Sequence, residues 1–210
     1  MYRLLCSFEW LSDQESVGVV RRAVAALVLV LMIGAAIVGA AFFLPTLFSA
    51  GQPVLPKLAA SCPRVSAVKV GTISVPAGPI AGYCQDQLVN AAHIINAARG
   101  LGIGTHTQAI GVMTAIGESG LRNLAYGDVA GADSRGLFQQ RDNGAWGTLA
   151  DRMDPFTAAT NFFDKLTSLP GWKNLSPTEA AHAVQVNADP NYYTAYWADA
   201  QVIVAALSGT

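Results

Sequence analysis

The chain is short of charge. Lys, Arg, Asp and Glu make up 13% of its 210 residues, against roughly 25% in an average soluble protein. The shortage has an address: residues 23–48 carry no charged side chain, and Ala, Val, Leu, Ile and Phe dominate them. Runs of Lys and Arg are missing as well. Beyond residue 50, ten Lys plus Arg stand against eleven Asp plus Glu, and the net charge of the whole chain is −1. Nothing here points to nucleic acid, and an uncharged or mixed-charge polymer is the better-suited partner. Cysteine is scarce, with three residues, and His93, His106 and His182 are too widely spaced for a zinc motif. They read as core or cap residues. No Ser-His-Asp signature, phosphate loop or Rossmann glycine pattern occurs. No metal and no cofactor is therefore expected.

What is present begins with the apolar run. About 20 apolar residues cross a bilayer as a helix, so residues 23–48 suffice for one transmembrane anchor. Arg21 and Arg22 precede the run and no basic residue follows until Lys57. The positive-inside rule then leaves residues 1–22 as a cytoplasmic tail and puts the rest on the extracellular side. The alternative is a cleaved secretory signal, which has a shorter core and a small-residue cleavage site. Phe48-Ser49-Ala50 is a poor version of that site. Topology also sorts the cysteines. Cys6 falls on the reducing side, whereas Cys62 and Cys84 fall where disulfides persist. A Cys62–Cys84 bridge is expected, with two free buried thiols as the plainer alternative.

Residues 49–82 carry Pro53, Pro56, Pro63, Pro76 and Pro79, which excludes a long helix and predicts an extended linker. Within it Val68, Val70, Ile73 and Val75 alternate weakly, enough for a short strand. From residue 83 the period becomes helical. Leu88, Ala91, Ala92, Ile95 and Ala98 share one face, and Gly100–Gly104 closes that helix. A second helix starts with Thr105 as N-cap and runs to about Gly117, carrying Ile110, Met113 and Ile116. Residues 120–147 are glycine-rich and read as loops with at most a small hairpin. A third helix opens at residues 154–157. The fourth has Ser176 as cap, Pro177 at its first position and Glu179 at the capping-box offset. Asp189-Pro190 introduces the last, bearing Tyr193, Trp197, Ile203, Val204 and Leu207. The expected fold is mainly α, a single helical domain over 83–210 with a glycine-rich insertion.

One stretch organises the rest: Ala115-Ile116-Gly117-Glu118-Ser119-Gly120-Leu121, followed by Gly136-Leu137-Phe138-Gln139-Gln140. A lone glutamate ends an apolar helix between glycines. An apolar wall raises a carboxyl pKa by disfavouring its charged form, and the Ile110/Met113/Ile116 stripe is placed to supply that wall. Small neighbours let a bulky substrate approach.

These two motifs, with Ala183-Val184-Gln185 on a later helix, resemble the lysozyme-like lytic transglycosylase superfamily (soluble lytic transglycosylases and goose-type lysozymes). The closest likeness is to the muramidase domains of Gram-positive cell-wall enzymes associated with conjugation or phage. The resemblance covers residues 84–207 and implies an α+β lysozyme-like fold. It implies that Glu118 is the catalytic acid, cleaving the β-1,4 bond between N-acetylmuramic acid and N-acetylglucosamine in peptidoglycan. In a lytic transglycosylase the same group then acts as base, and the muramoyl 6-hydroxyl closes a 1,6-anhydro ring. Ser119 would position Glu118 or the substrate. Phe138, Gln139 and Gln140 would line the sugar cleft, with Phe138 equally suited to anchor the core beneath the loop. The third motif departs from the family's aromatic-Asn pair, with Gln185 standing in for the asparagine and Tyr192 and Tyr193 supplying the aromatic. Hydrolysis would need a second carboxylate; Asp128, Asp133 and Asp142 lie in the loop, each also suited to a turn, and Asp133 is the best candidate. Arg135 and Arg141 flank the loop and read by default as solvated surface, with stem-peptide carboxylates as the alternative partners. Implied partners are glycan strands, the membrane through the N-terminal helix, and proteins of a conjugation, secretion or phage-related envelope apparatus. The rival reading is a catalytically silent peptidoglycan-binding scaffold.

Overall fold

The computed structural model describes residues 61–129 and 131–209. The tail at 1–22 and the anchor at 23–48 lie outside the described residues, as does the upstream part of the linker. Among the described residues, no helix is long and apolar enough to cross a membrane.

Among the described residues the architecture is mainly helical with one two-stranded sheet. Strands β1 (Val68–Val70) and β2 (Ile73–Val75) form an antiparallel hairpin with Val68 opposite Val75 and Val70 opposite Ile73. The weak alternation seen in the sequence is therefore a hairpin. It is not spacer: Val70, Ile73 and Val75 are buried, so the domain extends upstream of the expected start at residue 83. Two side chains of the following helix, α1 (Gln85–Gly100), fasten it. Asn96 Nδ2 donates to the Val70 carbonyl at 2.9 Å, and Gln85 Nε2 to that of Val75 at 3.2 Å. The Cys62–Cys84 disulfide forms as expected, with Cα atoms 5.4 Å apart. It ties the segment before the hairpin to the N-cap of α1, which is Cys84.

Helix α2 (Thr105–Ser119) is central. Every residue from Thr107 to Ile116 is buried, the pattern of a helix enclosed on all sides. Gly104, not Thr105, is its N-cap. α1 packs beside it. Helices α3 (Leu149–Met153) and α4 (Pro155–Ser168) follow the glycine-rich insertion, then α5 (Pro177–Gln185) and α6 (Trp197–Ser208). α2 lies chiefly against α6, and α1 against α4. The α5 start is as the sequence predicts: Ser176 Oγ and the Glu179 carboxylate cap one another's backbone. The last expected helix is broken. Tyr192–Tyr196 wind as a 3-10 turn, and α6 begins only at Trp197. The short α3 lies outside the elements expected from periodicity. Its capping box, Thr148 with Asp151, was readable, but five residues give no periodicity to detect.

The insertion is held by fragments of β pairing. Leu124 bridges Gly136, and Arg135 bridges Gln140 across the turn Gly136-Leu137-Phe138-Gln139. Arg152, almost fully buried, inserts beneath it, with Nη1 near the carbonyls of Asp133 and Gln140 and Nη2 on Asp142 at 3.1 Å. Trp146 is buried, with Lys165 Nζ 4.2 Å from its ring centre.

Candidate active site

The C-terminus of α2 leaves backbone carbonyls without helical partners, and the neighbouring elements satisfy them with side-chain amides. Gln87 Nε2 donates to Gly120 O at 2.7 Å and Asn90 Nδ2 to Leu121 O at 2.9 Å, both from α1. The chain turns there through two left-handed residues, Gly120 (φ +61°) and Leu121 (φ +59°). Leu121 is fully buried, which holds this less common conformation in place. Ser119 Oγ donates to the Leu137 carbonyl at 2.8 Å and accepts from the Arg122 N–H. Ser119 thus clasps the two sequence motifs together. The end of α2 is held by α1 on one side and by the second motif on another, and Glu118 projects from it.

Glu118 lines a cleft of about 620 Å³ together with Tyr126, Asp128, Gln139, Gln185 and Tyr192. The 3-10 turn presses two rings onto this helix end. Tyr193, fully buried, donates its hydroxyl to Glu118 Oε1. Tyr192 donates to the Gly117 carbonyl at 2.7 Å. Gly117 permits this: a Cβ there would lie 2.9 Å from Tyr193 Cδ1 and 3.1 Å from Tyr192 Cε1. Burial pushes the Glu118 carboxyl above its ordinary pKa; donors on Tyr193 and Gln185 pull it back, and the charge of Asp128 adds to the rise. Burial and the neighbouring Glu118 charge push the Tyr193 hydroxyl strongly upward, so it stays a proton donor. Burial likewise raises Tyr192, to about 12.

The sequence-based candidates divide. Glu118, Gln139, Gln185 and Tyr192 meet at the cleft. Phe138 does not. It is buried and stacks on Phe162 with ring centres 4.9 Å apart, offering the site only its carbonyl, which accepts from Gln185 Nε2 at 2.8 Å. Gln140 is likewise a core residue, donating to Ala158 O at 3.1 Å. Both follow from the tight turn, which sends Phe138 and Gln140 inward and leaves Gln139, at φ +46°, in the cleft wall. Asp133 is corrected too. Arg141 and the Asp142 N–H occupy its two oxygens, at 2.8 Å and 2.9 Å, and hold its carboxyl down at about 2. Asp128 lines the cleft instead, though its Oδ1 also accepts from the Gly131 N–H at 2.8 Å. Nor is the apolar wall the expected one: Ile110, Met113 and Ile116 face the core, and Tyr193 backs the carboxyl. Arg141 reaches the cleft, whereas Arg135 Nη1 bonds the carbonyls of Ala132 and Ser134.

Tyr126 and Asn187 also line the cleft. Tyr126 sits in an irregular loop with two-thirds of its surface exposed, where no periodicity marks it. Among the described residues no cluster of His, Cys, Asp and Glu can hold a metal ion. No protein-family profile matches the chain, and no curated protein sequence matches it either.

Proposed function

We propose that this domain cleaves the glycosidic bond between N-acetylmuramic acid and N-acetylglucosamine in peptidoglycan, with Glu118 as general acid and then base. The observation that carries this reading is the state of Glu118: a half-buried carboxyl at the wall of an open cleft, raised by burial yet bonded to a tyrosine hydroxyl. A raised carboxyl retains a proton to give to the glycosidic oxygen. Once ionised, it is stabilised by the Tyr193 and Gln185 donors and can take a proton back. A lytic transglycosylase needs no further carboxylate, because the muramoyl 6-hydroxyl attacks the anomeric carbon and loses its proton to Glu118. Asp133, with both oxygens engaged, is unavailable for activating water. The Cys62–Cys84 bridge fits an oxidising compartment, in keeping with a domain on the wall side of the membrane, anchored through residues 23–48.

The charge of Asp128, felt at Glu118 across the cleft, favours one second reading: an inverting muramidase in which Asp128 activates water. Digestion of purified sacculi followed by mass analysis of the released muropeptides separates the two. Anhydro ends support the transglycosylase, and reducing ends the hydrolase. Glu118→Gln should abolish release while leaving wall binding intact; a scaffold would release nothing with either protein.

A further inference from the structure

Arg141 has no part in the proton transfers above, yet it is the only cation among the described residues lining the cleft, where Glu118, Asp128 and Asp189 supply three carboxyls. Its side chain is 56% exposed and so open to a ligand. An arginine at the mouth of a groove is ordinary, but this one is braced. Nε donates to Asp133 Oδ1 at 3.0 Å, and Nη2 lies 2.8 Å from the same oxygen. Asp133 Oδ2 accepts from the Asp142 N–H at 2.9 Å. The carboxylate therefore grips the guanidinium by one edge and the backbone by its other oxygen. A guanidinium carries five N–H donors in a rigid plane. The braced edge spends one on Nε and one on Nη2, and no hydrogen bond or ion pair joins Nη1 to a described residue. The end of the fork, with parallel N–H groups on Nη1 and Nη2, is left open. That edge matches the two oxygens of a carboxylate.

The N-acetyl sugars of the proposed substrate carry no charge, so a carboxylate on such a strand belongs to the stem peptide on the muramoyl unit. Asp128 and Asp189 repel it, and Arg141 offers it one favourable seat in the cleft. We propose that Arg141, braced by Asp133, is a specificity-determining residue that binds a stem-peptide carboxylate, so that the domain acts on peptide-bearing strands. This rests on the glycosidase reading for the identity of the substrate. Asp133 then serves to aim the fork rather than to activate water.

The test uses the full chain in detergent micelles and soluble glycan strands in two forms, one native and one with its peptide carboxyls converted to methylamides. For wild type, KM for muropeptide release should be roughly 10-fold higher on the amidated strands, the effect of one charge-assisted contact, with kcat unchanged. Arg141→Gln should show the raised KM on native strands and no further rise on amidated ones. A wild-type KM equal on both forms overturns the proposal, as does an Arg141→Gln protein as sensitive to amidation as wild type. A loss confined to kcat overturns it too. The wild-type comparison requires no variant to fold. Binding of both forms to Glu118→Gln, with and without Arg141→Gln, is followed in parallel by the anisotropy of labelled strands. If wild type releases nothing while binding still discriminates, the glycosidase reading fails and Arg141 keeps its role. If both forms are released alike, the Arg141 assignment fails alone, and if nothing is released and binding does not discriminate, both fail.

Discussion

Gly117→Ala is the sharpest test of how the site is built, because helix propensity and packing pull in opposite directions there. In a helix interior, glycine is about 0.8–1 kcal/mol less favourable than alanine, so on the backbone alone the change should stabilise. The added methyl, however, would lie 2.9 and 3.0 Å from two atoms of the Tyr193 ring and 3.1 Å from Tyr192. Carbon atoms rest at about 3.5–4.0 Å, so Tyr193 must retreat by roughly half an ångström. Tyr192, 41% exposed, can swing aside. Tyr193, fully buried, cannot, and overpacking of this kind costs about 1–3 kcal/mol. The net expectation is destabilisation by about 0–2 kcal/mol, read by urea unfolding. The larger effect falls on function. Moving the Tyr193 ring loosens its bond to Glu118, and a hydrogen bond to a charged group is worth about 1.5–3 kcal/mol, or roughly 10- to 100-fold in the rate of muropeptide release. Gly111→Ala is the control. Its methyl would strike the Phe163 ring and Ile94 in the core, so it should lose stability and keep its rate per folded molecule. A Gly117→Ala protein about 1 kcal/mol more stable than wild type, with full activity, would refute the tyrosine clamp.

Further outcomes are expected elsewhere. Glu118→Gln should change stability in a pH-dependent way. The folded-state pKa of Glu118 is raised, so the wild type keeps its full stability below the unfolded value and loses some as pH rises through the folded one. The variant's relative stability should therefore climb over that interval and level off above it, as seen in unfolding midpoints across pH. Removing the disulfide by Cys62→Ala with Cys84→Ala opens a loop of 22 residues, and the chain-entropy relation predicts a loss of about 3.4 kcal/mol at 25 °C, measurable by denaturant unfolding. Gln139→Gly should relieve the left-handed backbone at φ +46° and stabilise by about 1 kcal/mol, while muropeptide release falls because a side chain of the cleft wall is gone.

The helices were legible where periodicity and caps agree. α1 and α5 start within two residues of their sequence signals, since Ser176 and Pro177 encode the α5 start locally. The Tyr192–Tyr196 turn was not, because the apolar pattern of Tyr193, Trp197 and Leu207 reads as one helix. Its break serves to lay two tyrosines on α2, a tertiary demand invisible in local sequence. The hairpin at residues 68–75 was half legible: alternation marked it, but prolines on either side suggested spacer. In the site, Glu118 stood out by its glycine neighbours. Phe138 and Gln140 misled because a motif gives spacing without direction. Only the pairing of Arg135 with Gln140 settles which side chains of that turn point inward. Asp133 misled for a related reason, since its partner Arg141 lies eight residues away and no helical or strand period links them.

The placement of Tyr193 bears on what the carboxyl can do in both halves of the proposed reaction. Burial alone would hold Glu118 protonated, good for donating to a leaving group and poor for recovering a proton afterwards. Donors alone would hold it ionised, with the reverse defect. Here burial is the largest influence, Tyr193 and Gln185 oppose it, and Asp128 reinforces it. Gln185 is shared, since its Nε2 also holds the Phe138 carbonyl at 2.8 Å, so the turn carrying the second motif is coupled to the acid. Gln185→Leu should therefore raise the Glu118 midpoint and loosen the turn, two effects that one titration and one hydrogen-exchange measurement on residues 136–140 resolve. Gln185→Glu, which keeps the length and adds a like charge, should raise the midpoint further. A midpoint that falls in either variant would mean that Gln185 does not donate to the carboxyl, and that Tyr193 alone opposes burial.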